Sequence, residues 1–373
     1  MYATSLPPQN SVGFWPSLNG GVSMRSPAPV TVLKINPLLY RGWDSLLEAR
    51  PASSFFHRTA WAQVLHETYG HLPIYFCRFA DGQLNELFPI MEISSPWTGC
   101  RGVSLPFTDV CFPLRTRKHD RRTLYEVAME HGRCHNWRSL ECRSNEPEWQ
   151  GASPSLTFYG HVIDLKHGQT ALFKSFNGAV RRGILKAVRT GLRVEFSNCL
   201  DSIRTFYALH CMTRRRHGLP PQPFRFFENI ARYVLAQGHG FVAIARWEDK
   251  PLAAGVFFYH GRKAFYKFGA SDYAFQQLRP NNTLLWEAIK RCVDNGFDTL
   301  HLGRTSLANE GLRRFKLGFG AREERIEYYK YDFVRRTFVR QIDHSAASFR
   351  PLFRWMPLPA LRLAGEMLYP HLS

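Results

Sequence analysis

The stretch HLGRTSLANEGLRRFKLGFGAREERIEYY, residues 301–329, decides the fold of the second half of the chain. Its pattern predicts a buried strand that stops at Gly303-Arg304, a polar loop, a short helix and a further strand. A charged side chain at the carboxyl end of a central strand lies where open α/β sheets form their crevices, so Arg304 is a candidate site residue. Phe315 is expected to anchor the short helix and leave Lys316 to stabilise a phosphate or an oxyanion.

The residues before this stretch predict a strand, a helix and the strand just described. KAFYKFGAS (263–271) is a predicted strand, and NTLLWEAIKRCVDNG (282–296) is a predicted helix with Asn282 as its cap. A strand, a helix of about a dozen residues and a second strand form a parallel crossover of right-handed sense. The sequence therefore predicts a mixed sheet flanked by helices.

An approximate internal repeat organises the whole chain. The hairpin patterns of residues 73–93 and 240–260 resemble each other, and each follows a helical pattern, at 58–70 and 224–238. The fold class is therefore predicted as α/β (α+β), with two tandem units that each hold a mixed, mostly antiparallel sheet flanked by helices. The predicted divisions are a disordered lead-in at 1–30, a first domain at 31–165, a second domain at 166–335 and a C-terminal tail at 336–373.

Cations cluster at two places in the second unit. Residues 170–192 predict one amphipathic helix whose apolar stripe is Phe173, Phe176, Val180, Ile184 and Ala187, and which ends at Gly191. Its Arg181 and Arg182 lie off the stripe, either as a solvated face or as an anion-binding rim. The run Arg214 to Arg216 ends another predicted helix, where the helix dipole favours cations and where a phosphate can be bound by a forked contact.

Composition limits the class of protein. The net charge of +19 favours anionic partners, such as a nucleic acid, a phosphorylated sugar or an acidic membrane surface. The eight cysteines have no C-x-x-C pair, which predicts free thiols and no metal site. No apolar run is long enough for a spanning helix and no signal peptide is recognisable, so a cytoplasmic protein is expected.

The C-terminal segment 350–372 mixes Phe353 and Trp355 with leucines, arginines and prolines. Its composition leaves two interpretations open. It is either an interfacial amphipathic segment that brings the protein to the inner face of the membrane, or a segment that packs on the second domain.

Five motifs, in order, carry a resemblance to a known family. They are TRRRHGLP (213–220), PLAAG (251–255), FGAS (268–271), RPNNTLLWEAI (279–289) and LGRT with GLRRFKLGFGA (302–321). Together they resemble the FemAB-type branch of the GNAT acyltransferase superfamily, and more narrowly the bacterial FemAB-like acetyltransferases found with exopolysaccharide and protein-sorting systems. The resemblance covers most of 165–332.

The resemblance implies roles for particular residues. Lys316 and Phe315 would lie at the acyl-transfer centre, and Arg304 would line the crevice. The residues that would bind the acceptor substrate are Thr213, Arg216, Gly218, Arg181, Arg182 and Tyr266. Those that would bind the donor are Arg279, Asn281, Asn282 and Thr283. Asp109, Asp272 and Glu310 are candidates for a general base by position, and each also fits a cap or turn.

The donor and the function stay open at this point. The stretch QQLRPNNT (276–283) has no glycine, unlike the pyrophosphate loop of ordinary GNAT enzymes, so acyl-coenzyme A and aminoacyl-tRNA are both candidate donors. The sequence predicts an N-acyltransferase that modifies an amine on a phosphorylated or saccharide acceptor, such as a cell-surface polysaccharide or envelope precursor. The alternatives are an aminoacyl-tRNA-dependent transferase that acts on a peptidoglycan-type precursor, and a non-catalytic nucleic-acid-binding protein.

Overall fold

A computed structural model describes residues 31–115, 123–144, 149, 151–341 and 350–371, so the predicted disorder of 1–30 lies outside the described residues. Within these described ranges, the first half contains a 3₁₀ turn at Phe55–His57 and nine regular elements. These are β1 (Leu33–Ile35), α1 (Trp43–Glu48), α2 (Thr59–Tyr69), β2 (Leu72–Ala80), β3 (Gln83–Ser95), β4 (Gly99–Val103), α3 (Leu124–Cys134), β5 (Ser139–Cys142) and β6 (Leu156–Asp164).

The second half contains a π turn at Ala231–Leu235, a 3₁₀ segment at Tyr273–Leu278 and the remaining elements. These are α4 (Gly168–Ser175), α5 (Gly178–Arg189), β7 (Arg193–Ser197), α6 (Leu200–Arg216), α7 (Phe224–Ile230), β8 (Gly240–Trp247), β9 (Lys250–His260), β10 (Lys263–Ser271), α8 (Pro280–Asp294), β11 (Thr299–Ser306), α9 (Glu310–Leu317), β12 (Arg322–Asp332), β13 (Thr337–Phe338), α10 (Arg350–Trp355) and α11 (Leu358–Leu368).

The strands of both halves join in one sheet. In the described residues its order is β1-β2-β3-β4-β5-β12-β6-β11-β10-β9-β8-β7, with β13 paired to β12. The β4–β5 and β10–β11 pairs are parallel and the other pairs are antiparallel. This mixed α/β architecture confirms the predicted fold class, although the two predicted sheets are continuous. Strand β6 lies between β12 and β11, and the predicted division near residue 165 stays a prediction.

A shared aromatic core joins the two halves. Phe55 lies 4.6 Å from Phe258 between ring centroids, and Trp61 lies 5.9 Å from Phe226. All four rings are fully buried and belong to one cluster. Since each buried aromatic side chain contributes about 1.5–3 kcal/mol through burial alone, this contact favours a fixed arrangement of the halves.

Two predicted helix boundaries are wrong. Residues 170–192 form two helices, because the chain breaks at Phe176 and the side chain of Asn177 caps α5, accepting from Ala179 N at 2.7 Å. The predicted stripe still packs inward, with Phe173 partly buried and the other four residues buried. Asn282 is not a cap: α8 begins two residues earlier at Pro280, whose fixed φ suits the first helical position.

The C-terminal tail packs on the second unit through one face. Leu361 is fully buried, and Arg214 Nη2 donates to the Tyr369 hydroxyl at 2.6 Å, next to the carbonyl of Pro220. Packing is thus observed for one side of this segment. Among the described residues, no helix has the length and apolar character needed to cross a bilayer.

Candidate active site

The candidate site lies where two parallel strands separate. Strands β10 and β11 pair only from Lys263 to Phe265 and from Thr299 to His301. Beyond these residues β10 stays with β9 and β11 stays with β6, so the two strands diverge. The divergence opens a cavity of about 570 Å³, lined by residues of β10, β11, α6, α8 and α9 and by Asp109 from the first half.

Gly303 forms a bulge at the point of divergence. The register of β11 against β6 shifts between His301 and Arg304, and Gly303 has a φ of 72°, a left-handed conformation that favours glycine. A Cβ atom here would lie 3.4 Å from Asp109 Oδ2 and 3.5 Å from the carbonyl of Tyr266. The strand continues to Ser306, so the prediction that it stops at Gly303-Arg304 is wrong.

Lys316 is buried against this bulge. Its side chain reaches from α9, is 4% exposed, and donates to the carbonyl oxygens of Gly303 at 2.9 Å and Arg304 at 3.1 Å. Burial lowers the pKa of Lys316 to about 8, although Asp109 acts in the opposite direction. Phe315 lines the same cavity and packs on Phe319 at 5.2 Å. An ammonium group with two of its three protons committed keeps one donor for a ligand.

A buried ion pair also lines the cavity. Lys267 Nζ lies 2.9 Å from Asp109 Oδ2, and their side chains are 5% and 17% exposed. Burial alone would raise the pKa of the Asp109 carboxyl, but the charges of Lys267 and Arg304 outweigh it and hold that pKa below its usual value. Asp109 is therefore an ionised carboxylate that faces the cavity.

Arg304 acts on the loop that carries Asp109. Its Nη1 donates to the Tyr328 hydroxyl at 2.9 Å, and that hydroxyl donates to the backbone carbonyl of Asp109 at 2.6 Å. The guanidinium also lies over the ring of Phe158, 4.3 Å from its centroid. Arg304 lines the cavity as expected, but these contacts are those of a positioning residue.

Three residues predicted to bind the acceptor line the cavity. Thr213 Oγ1 donates to the carbonyl of Ser271 and accepts from its N–H, which fixes the end of β10 to α6. Arg216 lies over the ring of Tyr273 at 4.6 Å, and its buried Nε has no hydrogen-bond partner among the described residues. Tyr266 stacks on Phe257, and burial raises its pKa to about 12, so the phenol stays protonated.

The other three do not line the cavity. Gly218 follows α6 with a φ of 65°, and its N–H bonds to the carbonyl of Arg215, which ends the helix. Arg181 and Arg182 are exposed on α5. The cavity is therefore lined by Thr213 and Arg216 of α6, whereas Arg181 and Arg182 of α5 lie outside it.

One of the four predicted donor-binding residues lines the cavity. Asn281 does so, and its Nδ2 donates to Ser271 Oγ at 3.2 Å. Arg279 is exposed at the start of α8 and Thr283 is buried. Asn282 packs on α5, where a Cβ at Gly183 would lie 3.1 Å from its Nδ2.

One ionisable residue that lines the cavity, Lys267, and one buried near Lys316, His161, were missed from the sequence. Lys267 lies within the predicted strand 263–271, and its position between Tyr266 and Phe268 in an apolar run is the signal that could have identified it. His161 is buried on β6, with its Nε2 3.2 Å from Glu323 Oε2. Burial and the charge of Lys316 lower its pKa to about 4, so this imidazole is neutral.

The described ranges give little support to the other two general-base candidates or to a metal site. Asp272 caps the 3₁₀ segment after β10, and Glu310 forms an exposed pair with Arg313 in the first turn of α9. Neither lines the cavity, whereas Asp109 does. The eight cysteines are free, and no group of three histidine, cysteine or acidic residues within the described part could hold a metal ion.

Comparison with known proteins identifies the second half of the chain. Residues 174–331 match the acetyltransferase (GNAT) domain family. This match identifies an acyltransferase domain in residues 174–331, which favours an enzyme over the non-catalytic alternative. The sequence has no significant match among curated proteins.

Solved structures agree with the tandem fold. The crystal structure of FemX superposes with a TM-score of 0.64 at 14% identity, covering 80% of this chain and 96% of that one. A tandem GNAT protein from the clavulanic acid biosynthesis pathway gives 0.55 at 9% identity, covering 81% and 98%. At such low identities the likeness concerns the fold alone.

Proposed function

We propose that this protein, whose second half is a GNAT acetyltransferase domain, transfers an acyl group to an amine of a cell-surface polysaccharide or other envelope precursor in the cytoplasm. The observation that carries the proposal is the position of Lys316. Its ammonium group is buried at the bulge where β10 and β11 separate, and it has one donor left for a ligand in the cavity.

The reaction needs a cation at the carbonyl oxygen of the donor. The amine nitrogen attacks the acyl carbon, and negative charge moves to the oxygen until the C–S bond of a thioester or the C–O bond of an ester breaks. The amine loses a proton and the leaving thiolate or alkoxide gains one, so charge balances. Lys316, poised before the reaction begins, stabilises the oxyanion without reorganisation.

Asp109 is proposed to hold the attacking amine. Its carboxylate faces the same cavity and is kept ionised by Lys267. An ionised carboxylate attracts the ammonium form of the acceptor and orients the free amine after deprotonation. The guanidinium of Arg216, which lines the cavity, is the proposed contact for a phosphate of the acceptor.

One observation favours aminoacyl-tRNA over acyl-coenzyme A as the donor. Phosphates bind helix N-termini where glycines let the backbone approach. At the N-terminus of α8 no glycine is present, and Asn282 packs against Gly183 of α5. An aminoacyl-tRNA would instead engage the chain through its positive surface, to which exposed Arg181, Arg182 and Arg279 contribute.

A donor screen tests both candidates. Purified protein is melted with acetyl-coenzyme A and, separately, with aminoacyl-tRNA, because a ligand of the native state raises the melting temperature. We expect the tRNA to stabilise the protein, with affinity that falls steeply between 50 and 200 mM salt. Stabilisation by acetyl-coenzyme A alone would assign the thioester as the donor. Stabilisation by neither would contradict the proposed function.

A further inference from the structure

We propose that the outward face of helices α10 and α11 docks on an anionic lipid bilayer and holds the cavity rim at the membrane surface. This inference goes beyond the transfer reaction and does not depend on the identity of its donor.

The outward face of α11 carries large apolar side chains where a surface helix is normally polar, with Glu366 exposed between them. Leu361 and Gly365 face the body of the protein, and a Cβ at Gly365 would collide with the carbonyl of Pro221. On the opposite side lie Leu363 and Met367, which are 57% and 56% exposed. A helix that is apolar on both sides is ordinarily buried on both, so this face lacks a partner.

Tryptophans mark both ends of the face. Trp355, at the end of α10, is 86% exposed. At the other end His371 contacts Trp97 of the β3–β4 turn, with ring centroids 4.1 Å apart, and Trp97 is also exposed. Exposed tryptophan is favoured at the boundary between lipid and water, where an amphipathic ring meets both environments.

The charge around this face suits an anionic surface. Residues 350–371 contain three arginines and one glutamate, in a chain of net charge +19. Arg354 is exposed beside Trp355, whereas Arg362 lies at the flank of α11 over the ring of Tyr207. Apolar burial combined with attraction to anionic headgroups is the pattern of a helix that lies in the bilayer interface. A second copy of this chain would carry the same positive charge and is disfavoured by repulsion.

The face is connected to the active-site rim through one arginine. Arg214 donates both to the carbonyl of Pro220 and to the hydroxyl of Tyr369, just after α11. Two residues further along α6, Arg216 lines the cavity. Docking of α11 would therefore bring α6, whose last turn forms part of the cavity rim, close to the membrane surface.

Vesicle co-sedimentation of the full chain tests the proposal. The probes are phosphatidylcholine vesicles with and without about one third phosphatidylglycerol. The variants are Leu363→Ser with Met367→Ser, and separately Trp355→Ser. The matched control replaces two exposed apolar residues of α5, Leu185→Ser with Val188→Ser, which are about equally exposed. Sedimentation velocity without lipid is measured on each protein.

We expect the protein to bind the anionic vesicles and to bind the neutral ones more weakly. Both tail variants should lose at least tenfold in affinity for the anionic vesicles, and the control should not. Binding that is absent, or that persists in both tail variants, would overturn the proposal. A dimer in solution that the double tail variant abolishes would overturn it too, because the face would then be an interface between copies.

Discussion

The ammonium nitrogen of Lys316 lies 2.9 Å from the carbonyl oxygen of Gly303, so one hydrogen bond ties α9 to the bulge of β11. The bulge turns that carbonyl toward the lysine, and the lysine in turn lies where the two parallel strands separate. A cation buried at the open end of a sheet is costly unless it is bonded. A buried ammonium group that is held by hydrogen bonds is what the proposed oxyanion role of Lys316 requires.

The rate should fall in mildly alkaline solution. Since burial lowers the pKa of Lys316 to about 8, the protonated form that stabilises an oxyanion is lost as pH rises through that value. We expect kcat/KM to have a descending limb near pH 8. Lys316→Arg, which stays protonated, should move this limb to higher pH. An identical limb in both proteins would exclude Lys316 as its source.

Gly303→Ala should affect activity more than stability. The left-handed φ of 72° costs a residue with a Cβ about 1–2 kcal/mol. Gly296 has the same φ and open space around it, so Gly296→Ala is a matched control. Both variants should lose similar free energy of unfolding in urea titrations. Only Gly303→Ala, whose methyl group enters the gap between Tyr266 and Asp109, should lose turnover by tenfold or more. If both variants have the same turnover, this gap is not part of the active site.

Asp109→Asn should destabilise the fold, because it leaves the buried ammonium of Lys267 without its counterion. Breaking a buried pair costs about 3–5 kcal/mol, and the partial exposure of Asp109 favours the lower end. Removing both charges, in Asp109→Asn with Lys267→Met, should restore most of the loss. If the single variant unfolds at the same urea concentration as the parent, the pair does not stabilise the fold.

Stability should fall in mild acid. Burial lowers the pKa of His57, His71 and His210 to about 3 each, whereas the unfolded chain binds these protons near pH 6.5. Below pH 6.5 the unfolded state therefore binds protons that the folded state does not bind. Each histidine then lowers the free energy of unfolding by about 1.4 kcal/mol per pH unit. Urea titrations at pH 7.5, 6.5 and 5.5 measure the slope. His210→Leu should reduce the slope; a free energy of unfolding that stays constant across the three pH values would refute this source of acid sensitivity.

The elements of the fold were largely predictable because their patterns are local. The strand at 263–271 was predicted with its observed bounds, and the crossover to β11 is parallel as expected. The break at Phe176 was missed because the apolar stripe continues through it. The joining of the two sheets was not predictable, since it depends on β6 pairing with both β11 and β12, more than a hundred residues away.

The candidate site was predictable in part for the same reason. Lys316 and Asn281 belong to sequence motifs and line the cavity, whereas Arg181 lies outside it. The pairing of Asp109 with Lys267 joins residues 158 positions apart, which no local pattern encodes. Arg304 was predicted for the crevice, but its bond to Tyr328 and its effect on the Asp109 loop appear only in three dimensions.

The central claim is tested most directly by acyl-transfer turnover in Lys316→Met, compared with Lys166→Met at an exposed site and with the acceptor and donor found in the screen. Loss of one oxyanion donor lowers kcat by about 10²–10³. We expect a loss of that size in Lys316→Met, with acceptor binding retained, and an unchanged rate in Lys166→Met. Turnover of Lys316→Met at the full parental rate would contradict the account.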